Sequence, residues 1–155
     1  MKKLNLEEVR TFIKNSSAES CVYIGADSCR YRKHNAFWAE YATVVVIHLN
    51  GKNGGKIFGE VTHERDFDQK KNRPSIRLMN EVMKASQLYL DLAESIGDRH
   101  CEIHLDINPN LMHGSSCVLH EAIGYVRGMT DKTPKLKPDA FAASFCADRF
   151  TEVVA

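Results

Sequence analysis

Two short apolar runs, each ending on an aspartate, dominate the hydrophobic pattern of this chain. The first, residues 20–28, is rich in β-branched and aromatic side chains and contains Asp27, and the second, residues 101–108, contains Asp106. Such runs predict buried strands, and Gly25 just before the first acid predicts a close approach of another backbone or a ligand. An ionised aspartate at the edge of a core needs a metal ion, a cation or several donors. The two acids are therefore candidates for one shared site.

The first half of the chain predicts three antiparallel strands. Residues 36–49 form a long β-rich run, residues 56–64 form its partner, and the Asn- and Gly-rich residues 50–55 predict the hairpin turn between them. We expect the first strand to end at Asp27. The polar residues 29–35 that follow it are then predicted to be the most basic loop in the chain.

The remaining pattern predicts four helices and two further strands. Apolar residues three or four positions apart predict helices over residues 6–15, 74–96 and 115–128, and a last helix that begins at Pro138. The second aspartate run is the fourth strand, and residues 133–137 predict a short fifth strand. The order is βββαβαβα after an N-terminal helix, which indicates an α/β fold with helices on both faces of a mixed five-stranded sheet.

Composition limits the class of protein but does not indicate its function. A chain of 155 residues with 43% hydrophobic and 26% charged residues predicts a single domain over residues 1–155, with residues 1–18 as a peripheral helical segment. The N-terminus has no apolar segment, so we expect a cytoplasmic protein without a membrane anchor. Five scattered cysteines predict reduced core residues, and a net charge of +1 gives no global basic surface.

Four segments carry a resemblance to a known family. They are Ile24-Gly25-Ala26-Asp27-Ser28, residues 102–108, Gly124-Tyr125-Val126-Arg127-Gly128, and residues 135–149 with their Lys-x-Lys-Pro-Asp motif. In these segments the chain resembles the YkuK-type predicted ribonuclease H-related proteins of bacteria and phages, although Ala26 stands where that family favours threonine. The resemblance implies a ribonuclease H-like fold, in which the first and fourth strands lie side by side at the centre of the sheet.

The resemblance also implies a nuclease site. Proteins of this superfamily hold two Mg²⁺ or Mn²⁺ ions with a carboxylate cluster and hydrolyse phosphodiester bonds of nucleic acid. The implied catalytic and metal-binding residues are Asp27, Glu81, Asp106 and Asp139, with Asp148 as the rival for the last position. Taken singly, each acid also suits a simpler role, as a turn cap, a solvated helix residue or a helix-start charge.

Two groups of basic residues are close to these acids in the sequence. They are Arg30, Arg32 and Lys33 after the first strand, and Lys135 and Lys137 before the last helix. We predict that they contact the phosphates of a nucleic-acid partner. A solvated charged surface is the alternative.

Two histidines lie close to the second acid. His104 precedes Asp106 by two residues and shares its face of the strand, and we favour a buried, hydrogen-bonded histidine over a proton shuttle. His113 follows in a loop, and an ordinary loop histidine is favoured over a substrate contact.

The sequence thus favours a divalent-metal-dependent nuclease, a hydrolase of nucleic acid. The alternative is a catalytically inactive ribonuclease H-like module that binds nucleic acid or protein. Actin-type ATPases share the fold, but this chain has no glycine-rich phosphate loop and its 155 residues are few for a two-lobed enzyme. Whether the substrate is RNA, DNA, a hybrid or a branched junction stays open, as does cleavage at internal or terminal bonds.

Overall fold

A computed structural model describes residues 3–50, 54–68, 74–110 and 118–150. Its elements, in chain order, are α1 (Leu6–Asn15), β1 (Cys21–Lys33), β2 (Ala36–His48), β3 (Gly55–Arg65), α2 (Ser75–Ile96), β4 (His100–Leu105) and α3 (Leu119–Thr130), followed by a π-helix (Ala142–Ala147) and a 3₁₀ turn (Asp148–Phe150). The predicted turn residues 51–53, the predicted start of α3 at 115 and His113 lie outside the described residues. None of the described helices is long and apolar enough to cross a membrane.

The sheet confirms the predicted mixed α/β arrangement at its centre. The strand order is β3-β2-β1-β4. β1 pairs antiparallel with β2, and β2 pairs antiparallel with β3. β4 joins the other edge of β1 in parallel, so the two aspartate runs are neighbours in the sheet.

The predicted fifth strand is reduced to a bridge. Within residues 133–137, a single parallel bridge joins Lys135 to His104. Two backbone hydrogen bonds, of 2.9 and 2.8 Å, join Lys135 to β4. Pro134 and Pro138 flank this short contact, and neither has the N–H group that a longer ladder requires. The described residues therefore form four strands, and this segment only lines the outer edge of β4.

β1 is longer than the hydrophobic pattern predicted. It does not end at Asp27 but stays paired with β2 as far as Lys33. The turn is only His34 and Asn35, whose φ values of 51° and 60° suit a two-residue hairpin. The predicted basic loop is thus the end of a β-hairpin. The apolar run indicated where β1 is buried, whereas backbone pairing with β2 decides where the strand ends.

The two faces of β1 pack against different layers. Side chains that alternate from Val22 to Ala26 lie in the core formed with α1, α2 and α3. The opposite face carries Tyr23 and Gly25 and packs against the π-helix. A Cβ atom at Gly25 would lie 2.5 Å from the backbone nitrogen of Ala143, so the backbone approach predicted from this glycine is confirmed.

Two helix starts are held by side-chain caps. Asn5 accepts a hydrogen bond of 3.2 Å from the N–H of Glu8, as the predicted cap of α1 requires. Pro74 precedes the first residue of α2 and offers no capping side chain. The buried carboxylate of Asp68 serves instead, accepting bonds of 2.7 and 2.9 Å from the first amides of that helix. This cap joins the end of β3 to the start of α2.

The last helix begins later than predicted. Residues 138–140 form a bend, in which the N–H of Asp139 donates to the carbonyl of Leu136 at 2.8 Å, and the π-helix starts only at Ala142. Asp139 therefore directly precedes the first helical turn, in which the N–H of Ser144 donates to the carbonyl of Ala140 at 2.9 Å. It is exposed in the bend that precedes the helical segment.

Candidate carboxylate site

Three predicted acids lie together where β1, β4 and α2 meet. Asp27 is the first residue of β1 beyond its pairing with β4. Asp106 directly follows β4, and Glu81 lies in the second turn of α2. The charges of these groups act on one another, since Asp106 raises the pKa of both Asp27 and Glu81. Two central strands and one helix thus supply one acidic site.

Burial and neighbouring charges strongly raise the pKa of Asp27. Burial raises its pKa from 3.8 to about 7, and the charges of Asp106 and Asp148 add to this rise, while a backbone hydrogen bond at Ser28 opposes it. Two neighbouring carboxylates repel each other when both are ionised. A divalent cation would allow both to stay ionised at neutral pH.

Glu81 is a buried acid with an unsatisfied oxygen. The residue is 4% exposed, and its Oε2 atom has no hydrogen-bond partner within the described ranges. Burial raises its pKa well above 4.5, and the charge of Asp27 adds to the rise. The charge of Arg77 and a hydrogen bond to Ser28 work in the opposite direction. Burying a carboxylate oxygen without a hydrogen-bond partner costs free energy. Coordination of a metal ion is one interaction that compensates for this cost.

Asp106 already has two polar partners. Its Oδ1 atom lies 3.1 Å from the Lys137 ammonium and accepts a hydrogen bond of 2.8 Å from the Ser144 hydroxyl. Lys137 was predicted to contact nucleic acid, and the structure places it on the acid itself. Ser144 belongs to the π-helix, so that helix reaches the site through this bond.

The two candidates for the last acid occupy different surroundings. Asp148 lies in the 3₁₀ turn after the π-helix, and its charge makes a smaller contribution to the raised pKa of Asp27 and of Cys29, after burial. Both candidates are exposed, and Asp139 does not contribute to either shift. Asp139 lies in the bend directly before the helical segment, close to the helix start at which it was predicted. Asp148 therefore interacts electrostatically with Asp27, and both Asp148 and Asp139 are candidates for the fourth acid.

The chemical type of these ligands suits a hard divalent cation. All three central groups are carboxylates, the ligands preferred by Mg²⁺ and Mn²⁺, and the Oε2 atom of Glu81 is buried without a partner among the described residues. No three His, Cys, Asp or Glu side chains of the described ranges are arranged to hold a metal ion. The acids are therefore close enough to interact, while their oxygens do not converge on one point.

The predicted cations divide into structural and exposed groups. Arg30 has its Nε atom 3.0 Å from the buried carboxylate of Asp66, donates to the carbonyl of Asp68 at 2.9 Å and stacks 3.8 Å above the Phe37 ring. It therefore holds the connection between β3 and α2. Arg32, Lys33 and Lys135 are exposed, the first two at the end of the β1–β2 hairpin.

Sequence reasoning missed Arg77. Its guanidinium donates to the carbonyl and hydroxyl oxygens of Ser28 at 3.0 and 2.8 Å, directly after Asp27. The available signal was its position four residues before Glu81, which puts both side chains on one face of α2. Arg77 thus brings a fixed positive charge to the acidic site.

His104 is a structural histidine, as favoured from the sequence. It is fully buried, its Nε2 atom lies 2.9 Å from Glu102, and its Nδ1 atom accepts a hydrogen bond of 3.1 Å from the N–H of Ala142. Burial lowers the pKa of His104, although the Glu102 carboxylate opposes this effect. The neutral ring therefore fixes the start of the π-helix, which carries Ser144 to Asp106.

Comparison with known proteins agrees with this fold. The family model described as Ribonuclease H-like matches residues 5–152, and the chain belongs to that family. Within it, the chain is similar to the uncharacterised protein YkuK of Bacillus subtilis (strain 168), with 25% identity over 159 residues that cover 95% of this chain and 88% of YkuK. The YkuK-type resemblance is thereby confirmed. No solved structure gives a significant match.

Proposed function

We propose that this protein is a divalent-metal-dependent hydrolase of phosphodiester bonds in nucleic acid. The observation that carries the proposal is the meeting of Asp27, Asp106 and the unsatisfied Glu81 at the centre of the sheet. Membership of the ribonuclease H-like family supports a function connected with nucleic acid.

The proposed ligands of Mg²⁺ or Mn²⁺ are Asp27, Glu81, Asp106 and Asp148. A pair of such ions, when bound, supplies an activated water and stabilises the leaving oxygen. The chain's own residues prepare the site: Arg77 offsets part of the negative charge, and the Asp106 partners on the C-terminal segment hold that carboxylate in place.

Exposed cations beside the site supply the proposed phosphate contacts. Lys137 is 40% exposed at its side chain and lies beside Asp106, so it can reach a phosphate while it stays near the acid. Lys135, Arg32 and Lys33 are exposed further out. Arg30 is excluded from this role in our proposal because its guanidinium is held by the β3–α2 connection.

The test compares Asp148→Asn with Asp139→Asn under saturating Mn²⁺. Cleavage of labelled single-stranded, duplex and hybrid oligonucleotides is measured together with Mn²⁺ binding by titration calorimetry. We expect Asp148→Asn, like Asp27→Asn, to lose on the order of 10²-fold in cleavage or metal affinity, and Asp139→Asn to stay within about twofold of the wild type. The opposite ranking would assign the last ligand to Asp139.

An inactive nucleic-acid- or protein-binding module is the second candidate. The contact that favours it is the ion pair of Lys137 with Asp106, because it places a cation on one of the proposed ligands. The same calorimetry separates the two candidates. A wild-type protein that binds oligonucleotides but neither binds Mn²⁺ nor cleaves them would be such a module.

A further inference from the structure

A second feature lies on the β1–β2 hairpin, beyond the acids. It is a cleft of about 550 Å³ lined by Tyr31, Lys33, His34, Trp38 and His63, which we call the hairpin pocket. This pocket has no role in the proposed hydrolysis. Its lining combines two aromatic rings with a lysine and two histidines.

The hairpin pocket shares a face of the sheet with the carboxylate site. Side chains of a strand alternate between faces, so Asp27, Cys29 and Tyr31 point to the same side of β1. The register places Tyr31 opposite Trp38, and Trp38 opposite Arg65 on β3. Four residues at about 3.3 Å each separate Tyr31 from Asp27 by roughly 13 Å, a length that a few nucleotides span.

The aromatic walls of the pocket are held in place. The Tyr31 hydroxyl lies 2.9 Å from Nδ1 of His63, and the two rings meet edge to face. On its other side, Nε2 of His63 lies 3.6 Å from the fully buried carboxylate of Glu40. The Arg65 guanidinium lies 5.5 Å from the centre of the Trp38 ring. These contacts fix the rings before any ligand binds, which lowers the ordering cost of binding.

The charges around the pocket suit a polyanion. Lys33 lines it with a positive charge, and the Arg65 guanidinium lies beside Trp38 on the neighbouring strand. Aromatic faces bind bases by stacking, and neighbouring cations bind the phosphates of the same strand. The pocket thus offers both kinds of contact that a nucleotide needs.

We propose that the hairpin pocket binds an unpaired nucleobase of the nucleic-acid strand whose backbone reaches the carboxylate site. This inference rests on the proposed function. Base faces in a duplex are covered by stacking, whereas those of a single strand are open to aromatic side chains. The substrate class is therefore single-stranded or locally unpaired nucleic acid.

The experiment uses Trp38 as its reporter, because it is the only tryptophan in the chain. The full-length Asp27→Asn variant, which we expect not to cleave, is titrated with fluorescein-labelled oligothymidylate and oligouridylate of about 12 nucleotides, and with a duplex of equal length. Trp38 fluorescence reports the pocket, and fluorescein anisotropy reports binding anywhere. We expect saturable quenching of Trp38 by the single strands and at least about tenfold weaker quenching affinity for the duplex.

Two substitutions on one hairpin separate the pocket from the opposite face. Tyr31→Ala should weaken single-strand binding about tenfold, because one stacking contact is lost. The matched control is Phe37→Ala, which removes a 44% exposed aromatic ring from the other face of β2 and should leave affinity within about twofold. Should Tyr31→Ala not fold, Lys33→Gln still tests the pocket, since it should reduce the slope of log K against log salt by about one.

Contrary results separate the two proposals. Anisotropy binding with unchanged Trp38 fluorescence and equal affinities for Tyr31→Ala and Phe37→Ala would overturn the pocket and leave the proposed hydrolysis standing. Equal Trp38 quenching by single strand and duplex would overturn the preference for an unpaired base. No binding of any oligonucleotide would overturn the pocket together with the nucleic-acid function.

Discussion

The substitution Asp27→Asn should stabilise the metal-free protein, although it removes a functional group. The folded-state pKa of Asp27 is raised from 3.8 to about 7, so between these values the folded protein holds a proton that the unfolded chain has released. The free energy of unfolding therefore falls as pH rises through this window and stays low above it. Below about pH 4 both states are protonated and Asp27 makes no difference.

The size of the effect follows from the same pKa values. About 1.4 kcal/mol per pH unit between 3.8 and about 7 gives an upper limit of about 4 kcal/mol for the penalty at alkaline pH. Asp27 is only half-buried, so solvent screens part of the repulsion, and we expect about 2 kcal/mol. For a chain of this length that corresponds to a rise in melting temperature of roughly 4–8 °C.

Thermal melts followed by circular dichroism in EDTA provide the assay, at about pH 5 and about pH 8. The gain of Asp27→Asn over the wild type should be clearly larger at the higher pH. Adding Mn²⁺ to about 100 times its dissociation constant should stabilise the wild type by about 2.7 kcal/mol and the variant far less. Asp139→Asn, which removes an exposed acid, is the control and should show no shift at either pH.

A variant that is less stable than the wild type at the higher pH would refute this reasoning. A stability gain of the same size at both pH values would refute it as well, because burial and the repulsion by Asp106 disfavour only the ionised form of Asp27.

Two further predictions concern the supports of the site. Gly25→Ala should destabilise the fold by about 1–3 kcal/mol in urea unfolding, since the new Cβ would lie 2.5 Å from the Ala143 nitrogen. The control is Gly124→Ala, which has open space around the new Cβ and should be neutral or stabilising. Asp68→Ala should cost about 1–2 kcal/mol by the same measurement because two amides of α2 lose their acceptor, and an unchanged urea midpoint would show that Asp68 is not the cap.

Local sequence patterns determined much of the central sheet. The two apolar runs are strands, as their composition predicted, and they pair side by side, as the family resemblance implied, with each acid at the end of their shared pairing. Gly25 marks a backbone contact, and Asn5 caps α1. These features could be predicted because burial, side-chain alternation and capping depend on residues that are close in sequence.

The helix pattern also placed Glu81 correctly on α2, but it could not show what surrounds that residue. The buried position of Glu81 beside Asp27 depends on how α2 packs across the sheet. The same packing brings Arg77 to Ser28. The spacing of residues along one helix predicts which side chains share a face. It does not predict which distant segment of the chain packs against that face.

Only the tertiary structure decided the length of β1 and the surroundings of the last acid. The strand continues to Lys33 because its backbone pairs with β2, although its apolar run has ended. The charge of Asp148, which lies in the 3₁₀ turn, contributes to the raised pKa of Asp27, whereas Asp139 lies in the bend before the helical segment. Both outcomes depend on contacts between residues that are far apart in the sequence. A local hydrophobic pattern does not predict the free energy of such contacts.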